Sequence, residues 1–300
     1  MVRLAAVDIG SNTIHVLVCD IANGRLQEVA HEVAMPSLGA AVAKTGEIGE
    51  SKTAEAIADL ESVLKEASRH HYQHLIAGAT EAVRRARDRD SFLTEAAAAA
   101  GVPVRLITSK REAQLSFQGV ASVHASEGEW LMGDMGGGST ELVRAKNQDM
   151  LAWVSLPVGS GTLAGRYLAD PPRSGERDKL RRDAAQTLVS GAPVCRPERL
   201  VMTGGTASNL PLVLDSGDPA VKLWVRDIAE ARLRLDAGPA AQLAGELGLP
   251  ASRVIALRAG VEVLLLLLDR YQLKLLHVSH EGIRHGMLLA YLESGENWWR

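Results

Sequence analysis

The sequence predicts an α/β fold built from two duplicated domains that face one cleft. Strand-like and helix-like segments alternate along the whole chain, which is typical of α/β proteins. Two similar strand–turn–strand units begin near Asp8 and Asp134, and such a recurrence indicates an internal duplication. The chain has 300 residues, so its length also favours about two domains. We place the domains at residues 1–124 and 125–300, with the terminal helix 284–300 as a candidate addition to the first.

Composition narrows the class of protein. Apolar residues make up 46% of the chain and charged residues 23%, with a net charge of −3, as in an ordinary globular protein. This weak charge argues against a nucleic-acid-binding or membrane-surface protein. The most apolar run, Val261 to Leu268, is too short to span a bilayer and predicts a buried helix. Two distant cysteines and an N-terminus that enters a strand at once predict a cytoplasmic protein without disulfides or a signal peptide.

The predicted elements follow from hydrophobic periodicity and turn residues. Strands surround a first polar turn, and a second turn at Asn23 and Gly24 leads to a third strand. A helix is predicted from Ser51, as its N-cap, to Arg69. The further predictions are strands at Leu75–Ala79, Val104–Ile107, the run before Asp134, Leu200–Thr203 and Leu275–Ser279, and helices at Ser91–Ala100, Ser109–Val120, Val254–Tyr271 and 284–293.

Two of the turns have the composition of phosphate-binding loops. Asp8 precedes Gly10, Ser11, Asn12 and Thr13, and Asp134 precedes Gly136, Gly137, Gly138 and Ser139. Successive backbone N–H groups in such a turn form a concave nest for an anion. A carboxylate beside it cannot bind the same anion directly, so Asp8 and Asp134 are predicted to hold a bridging Mg²⁺, with Mn²⁺ as a substitute. Two such turns in one chain are a more specific indication of a phosphate site than either turn alone.

Further residues at strand ends extend the predicted phosphate site. Arg84 opens a strand-to-helix junction, where guanidinium groups and helix N-termini attract phosphate. A third turn, containing Gly204, Gly205 and Thr206, suits phosphate or a nucleotide. Glu112 lies at a helix start directly after a strand, where α/β proteins place their chemistry. Glu141 follows the second turn and is a candidate catalytic carboxylate.

These residues lie in motifs that resemble the exopolyphosphatase / guanosine pentaphosphate phosphohydrolase (Ppx/GppA) family of the actin, Hsp70 and sugar-kinase superfamily. The resemblance runs from end to end of the chain. The motifs, in chain order, are Ala6-Val-Asp-Ile-Gly-Ser-Asn-Thr13, Ala79-Thr-x-Ala-x-Arg-x-Ala86, Glu112-Ala113, Asp134-x-Gly-Gly-Gly-Ser-Thr-Glu141, Leu156-Pro-x-Gly159, Thr203-Gly-Gly-Thr206 and Gly282-x-Arg-x-Gly286.

The resemblance implies two ribonuclease-H-like (actin-like ATPase) domains and an enzyme that releases terminal orthophosphate from inorganic polyphosphate. It implies Glu112 as a catalytic residue, magnesium as cofactor and dimerisation through the second domain. Three positions depart from the family pattern, because Arg111 replaces a glutamate, Ser37 an arginine and His280 an aspartate. We also expect no C-terminal HD-type helical domain of the kind that the longest members carry.

Alternatives of other kinds remain open at this point. The nearest is hydrolysis of the 5′-phosphate of guanosine pentaphosphate, for which the turn around Gly204 would hold the nucleoside. A small-molecule kinase of the same superfamily would share the paired turns, but Glu141 argues against it. The third alternative is a non-catalytic sensor of polyphosphate or nucleotide.

Overall fold

The computed structural model describes residues 2–22, 25–216 and 222–300. The predicted turn at Asn23 and Gly24 lies outside these residues. Two compact units are present, the first made of residues 1–119 and 281–300, the second of residues 120–280. Across the described ranges, no helix has the length and apolar character needed to cross a membrane.

The first unit contains a five-stranded sheet with the order β3-β2-β1-β4-β5. Its antiparallel strands β1, β2 and β3 are followed by β4 and β5, which run parallel to β1. Its elements are β1 (Val2–Ile9), β2 (Ile14–Ala22), β3 (Arg25–Ala34), α1 (Leu38–Thr45), α2 (Glu50–Ser68), β4 (His74–Ala79), α3 (Glu81–Arg85), α4 (Arg89–Ala100), β5 (Val104–Leu106) and α5 (Ser109–His124), whose last residues belong to the second unit.

The second unit repeats this plan. Its elements are β6 (Ser126–Met135), β7 (Thr140–Asn147), β8 (Asp149–Leu156), α6 (Ser160–Tyr167), α7 (Glu176–Gly191), β9 (Arg199–Thr203), α8 (Gly205–Val213), β10 (Lys222–Trp224), α9 (Val225–Leu235), α10 (Ala240–Leu247), α11 (Ala251–Arg270) and β11 (Leu275–Val278). Its sheet has the order β10-β11-β9-β6-β7-β8. Strands β6, β7 and β8 are antiparallel, and β9 and β11 are parallel to β6, so the order matches the first sheet with β10 added at one edge. The duplication predicted from the sequence is therefore visible in the strand order.

The start of α2 shows how a local signal was misread. The helix begins at Glu50 with Gly49 as its N-cap, so the prediction of Ser51 as the cap was wrong. Gly49 has a φ of 81°, a conformation that glycine adopts without steric cost. The carboxylate of Asp88 accepts hydrogen bonds from the N–H groups of Ile48 and Gly49 at 2.9 and 2.8 Å. This acceptor lies on a distant segment, so the order of residues near Ser51 could not reveal it.

Helix α11 is the central helix of the second unit, and it is buried as the apolar run predicted. Its one carboxylate on the apolar run, Glu262, is fully buried and accepts hydrogen bonds from Arg177 at 2.8 Å and Arg181 at 2.6 Å. Both arginines lie on α7, so the ion pairs tie α7 to α11 inside the unit. A buried charge retained in this way requires its partners, because loss of one leaves an uncompensated ion in the interior.

The C-terminal residues pack on the first unit. Helix α12 (Ile283–Ser294) is followed by a 3₁₀ turn, Gly295–Asn297, and Met287 and Leu288 are buried against β1 and β2 residues such as Leu4. The approach is close because a Cβ atom on Gly286 would overlap the carbonyl oxygen of Leu115 in α5. The segment 281–300 therefore groups with residues 1–119, and it contains the helix 284–300 that was named from the sequence as a candidate addition to the first domain.

We expect Gly286→Ala to destabilise the protein by about 1–3 kcal/mol, because the added methyl group meets backbone that cannot yield without shifting α5. Gly245 in α10 provides a matched control, since a Cβ atom there would meet open space. Gly245→Ala should be neutral or stabilising by up to about 1 kcal/mol. Denaturant unfolding of both variants checks this prediction, and equal stabilities would contradict it.

Candidate active site

The first phosphate-type turn is held by a hydrogen-bonded frame. The N–H of Gly10 donates to the carbonyl of Thr13 at 2.9 Å, which closes the turn between β1 and β2. The carbonyl of Ser11 accepts from Gly39 N–H at 2.7 Å, and that of Asn12 accepts from Ser37 N–H at 3.1 Å. These donors lie at the N-terminus of α1, so the turn rests on the start of that helix.

This frame determines where the turn directs its N–H groups. In a trans peptide the C=O and the following N–H point in opposite directions. Because the carbonyls of Ser11 and Asn12 point at α1, the N–H groups of Asn12 and Thr13 point away from it. Two neighbouring N–H groups directed to one side form the concave nest that binds anions.

The second turn, between β6 and β7, has a similar frame, in which the carbonyls that face the helix lie one position earlier in the turn. Gly136 N–H donates to the Ser139 carbonyl at 3.0 Å, as Gly10 does in the first turn. The carbonyls of Gly136 and Gly137 accept from Ser160 and Thr162 at 3.0 and 2.9 Å, both in the first turn of α6. The N–H groups of Gly137 and Gly138 therefore point away from α6.

Each frame depends on a glycine supplied by the segment that follows. A Cβ atom on Gly159 would overlap the backbone of Gly138 and Ser139, and one on Gly39 would lie 3.0 Å from the Cβ atom of Ser11. Gly159 closes the motif Leu156-Pro-x-Gly159, which is one of those that carry the family resemblance. This glycine lets α6 approach the second turn closely enough to bind its carbonyls.

Glu141 is held rigidly at the end of the second turn. Its side chain is buried, and Oε1 accepts hydrogen bonds from the hydroxyls of Ser139 at 2.8 Å and Ser155 at 2.7 Å. Ser155 lies directly opposite Glu141 in the β7–β8 pairing. The Ser139 hydroxyl, predicted to bind phosphate, thus contacts Glu141. Ser155 was not predicted from the sequence, because only the strand register brings it to the site.

The third turn joins the second within the same unit. Asp134 and Thr203 are paired in the β6–β9 register, and a Cβ atom on Gly204 would lie 3.0 Å from Oδ1 of Asp134. The Asp134 carboxylate therefore lies against Gly204. Gly205 and Thr206 begin α8, but the Thr206 side chain is buried against Gly260 of α11. Any contact of Thr206 with an anion would therefore use its backbone N–H.

Arg253 is a cation at this turn that the sequence analysis did not select. It lies in the first turn of α11, and its guanidinium occupies the space where a Cβ atom on Gly205 would be. Burial lowers the pKa of Arg253 from its ordinary value, although a guanidinium stays protonated at neutral pH. The N-terminus of α8 therefore carries a full positive charge in addition to its N–H groups. The helix predicted from periodicity began at Val254, so it did not include Arg253, whereas α11 begins at Ala251.

The first unit brings together two predicted residues, Arg84 and Glu112. Arg84 Nη1 donates to Glu112 Oε2 at 2.5 Å and to the carbonyl of Ile107 at 2.7 Å. Both side chains are largely buried, with exposures of 16% and 14%. This ion pair fixes the Glu112 carboxylate at the first turn of α5. Arg84, predicted as a phosphate ligand, is therefore also the partner of the predicted catalytic glutamate.

A carboxylate at the first turn was not selected from the sequence. Glu81, at the start of α3, accepts a hydrogen bond of 3.4 Å from the Ser11 hydroxyl. Glu81 also contacts Arg85 at 3.2 Å, which offsets part of its charge. The strand β4 ends directly before α3, and its parallel pairing with β1 brings α3 to the first turn.

The donor set for a metal ion consists of few protein groups. Asp8 is the penultimate residue of β1 and Asp134 that of β6, so each lies just before a phosphate-type turn. In the part of the chain that the structure describes, no three His, Cys, Asp or Glu side chains converge on one metal position. Carboxylates beside anion-binding turns are nevertheless groups that Mg²⁺ can use, since this ion binds one or two carboxylates together with substrate phosphates.

Comparisons with known proteins agree with the fold and the site. Residues 17–212 match the model of the Ppx/GppA phosphatase family. Exopolyphosphatase 2 of Mycobacterium tuberculosis is 33% identical over 202 residues, which cover 63% of this chain and 62% of that protein, less than two thirds of its length. Exopolyphosphatase 1 of Mycobacterium leprae is 26% identical over 310 residues, covering 97% of this chain and 90% of that one.

Solved structures match the chain over nearly its whole length. The Ppx/GppA family member of Aquifex aeolicus has a TM-score of 0.81 at 28% identity, covering 98% of this chain and 99% of that one. An exopolyphosphatase from Cytophaga hutchinsonii has a TM-score of 0.87 at 24% identity, with 97% and 98% covered, which shows the same fold. The predicted α/β fold with two actin-like domains is confirmed. Together with the match to more than half of the sequence, this shows that the chain belongs to the Ppx/GppA phosphatase family.

Proposed function

We propose that the chain is an exopolyphosphatase that releases terminal orthophosphate from inorganic polyphosphate by magnesium-assisted attack of water. The family membership supports phosphate-ester or phosphoanhydride hydrolysis. The observation that carries the proposal is the buried Glu141, which two hydroxyls orient directly beside an anion-binding turn. A fixed carboxylate at that position suits the activation of water.

The backbone supplies the binding groups for a polyanion. Phosphoryl transfer needs little covalent chemistry from the protein, because positioning and charge neutralisation provide most of the rate. N–H groups of the two framed turns would hold phosphoryl oxygens, with Arg253 neutralising charge at the third turn. Asp8 and Asp134 would hold Mg²⁺, which supplies charge stabilisation of the phosphoryl oxygens.

Glu112 and Glu141 are the candidates for orienting and deprotonating the attacking water. The two hydroxyls that donate to Oε1 of Glu141 hold its carboxylate in one orientation beside the second turn. Glu112 is held in one orientation by its ion pair with Arg84. The water oxygen bonds to the terminal phosphorus as a proton of the water passes to a carboxylate. The bond from that phosphorus to the bridging oxygen breaks, so the shortened polyphosphate keeps the bridging oxygen and the terminal phosphoryl group leaves as orthophosphate.

Replacing either glutamate should leave a folded but nearly inactive enzyme. We expect Glu141→Gln and Glu112→Gln each to lower kcat for phosphate release about 10²–10⁴-fold, which is the usual contribution of a positioned base. The matched controls are Glu230→Gln and Glu66→Gln, which alter exposed helix-surface carboxylates of the same two units. Near-normal phosphate release by both active-site variants would refute the assignment.

Removal of divalent metal should abolish activity. In excess chelator we expect phosphate release to fall at least about 100-fold, because the substrate charge is no longer neutralised. Added Mg²⁺ should restore the rate, and Mn²⁺ should substitute for it. The rate is followed by phosphate release from polyphosphate of defined length. Full activity in chelator would contradict the role given to Asp8 and Asp134.

The substrate is decided by direct comparison. Under magnesium we expect a higher kcat/KM for defined-length polyphosphate than for guanosine pentaphosphate, measured in parallel. The opposite order would favour the 5′-phosphohydrolase, in which the third turn and Arg253 would face the nucleoside end. Transfer of phosphate from ATP to a small molecule would favour a kinase. Tight polyphosphate binding without turnover would favour a sensor.

A further inference from the structure

Arg111, which departs from the family pattern, makes a specific contact with the end of the chain. Its Nε donates to the carbonyl oxygen of Trp298 at 3.0 Å, and its Nη2 donates to the same oxygen. Arg111 lies in the first turn of α5, directly before Glu112. The guanidinium fork therefore joins the turn that carries Glu112 to the residues after α12.

Trp298 is itself fixed by packing. Its side chain is 2% exposed and lies in the small apolar cluster of the first unit that includes Ile107 and Leu115. A Cβ atom on Gly78 in β4 would lie 3.3 Å from the Trp298 ring and 3.0 Å from Ile107 Cγ1. The absence of a side chain at Gly78 thus makes room for both residues. The carbonyl that Arg111 binds consequently belongs to an immobilised residue.

Ile107 connects this cluster to the catalytic candidate by a second route. Its carbonyl accepts from Arg84 Nη1, which also donates to Glu112 Oε2. Glu112 is therefore supported on two sides, through its side chain by Arg84 and through its helix turn by Arg111. Both routes end in the packing of Ile107 and Trp298 against Gly78.

We propose that Arg111 is a positioning residue, which acts with the Trp298 carbonyl to fix the first turn of α5 and thereby the Glu112 carboxylate. The inference rests on the proposed function, because it concerns the reaction assigned to Glu112. Arg111 thus holds the start of α5 against the residues after α12. Its guanidinium points at the C-terminal residues, and its contribution to the reaction passes through Glu112.

The test replaces Arg111 in the wild-type protein and in the Glu112→Gln variant. We expect Arg111→Ala to lower kcat for phosphate release about 10-fold or more with KM within about twofold, since small displacements of a catalytic group can cost about 10²-fold. Arg111→Lys should retain part of the rate, because an ammonium can donate one hydrogen bond to the carbonyl. In the Glu112→Gln background, Arg111→Ala should change the residual rate by less than about twofold.

Arg300→Ala is the matched control. Arg300 stacks on Trp299, so its loss removes a cation from the same terminal segment without touching α5. We expect wild-type kcat and KM for this variant. A lowered kcat in Arg300→Ala equal to that in Arg111→Ala would show that any disturbance of the segment suffices, and it would overturn the specific role of Arg111.

Other outcomes decide the remaining cases. Arg111→Ala with wild-type kcat, or with equal losses in both backgrounds, overturns the inference while leaving the proposed function intact. Glu112→Gln with wild-type kcat overturns the inference and leaves the proposed function resting on Glu141, so this variant is measured first. If Arg111→Ala does not fold, the test is made with Arg111→Lys. A loss of kcat that occurs when Glu112 is present, and not when it is replaced by Gln, supports the inference.

Discussion

The candidate site depends on the direction in which two tight turns point their carbonyl groups. Each turn is closed by one internal hydrogen bond, donated by the N–H of Gly10 or Gly136. Two carbonyl groups of each turn accept hydrogen bonds from the N-terminus of the helix that follows. Those helix N–H groups would otherwise lack partners. The same bonds that cap α1 and α6 therefore orient the peptides that are proposed to face an anion. A similar arrangement of turn and helix start is used in both units.

Much of the fold could be predicted from the sequence because its signals are local. The alternation of elements, the two turns after Asp8 and Asp134, and a helix near residues 51–69 all follow from short-range periodicity and turn chemistry. Ser155 and Arg253 could not be predicted in the same way. One reaches Glu141 through the β7–β8 register, and the other reaches Gly205 from a helix far along the chain. Long-range pairing leaves no mark on neighbouring residues.

The first unit illustrates how a terminal segment can complete a domain formed by distant sequence. Helix α12 packs against α5 through glycines, and the residues after it fill a space left open at Gly78. Close backbone approach of this kind gives large contact area with small side chains. A domain boundary drawn from chain order alone therefore misses that the end of the chain returns to its beginning.

The use of main-chain groups in the turns has a consequence for evolutionary divergence. Peptide N–H groups are present in every residue except proline, so most side chains around the turns can drift without loss of the binding groups. The requirement that must persist is steric, because the helix start meets the turn at Gly159 and leaves no room there for a side chain. Purifying selection in such a protein should therefore retain a glycine at such a position as strongly as it retains charged groups.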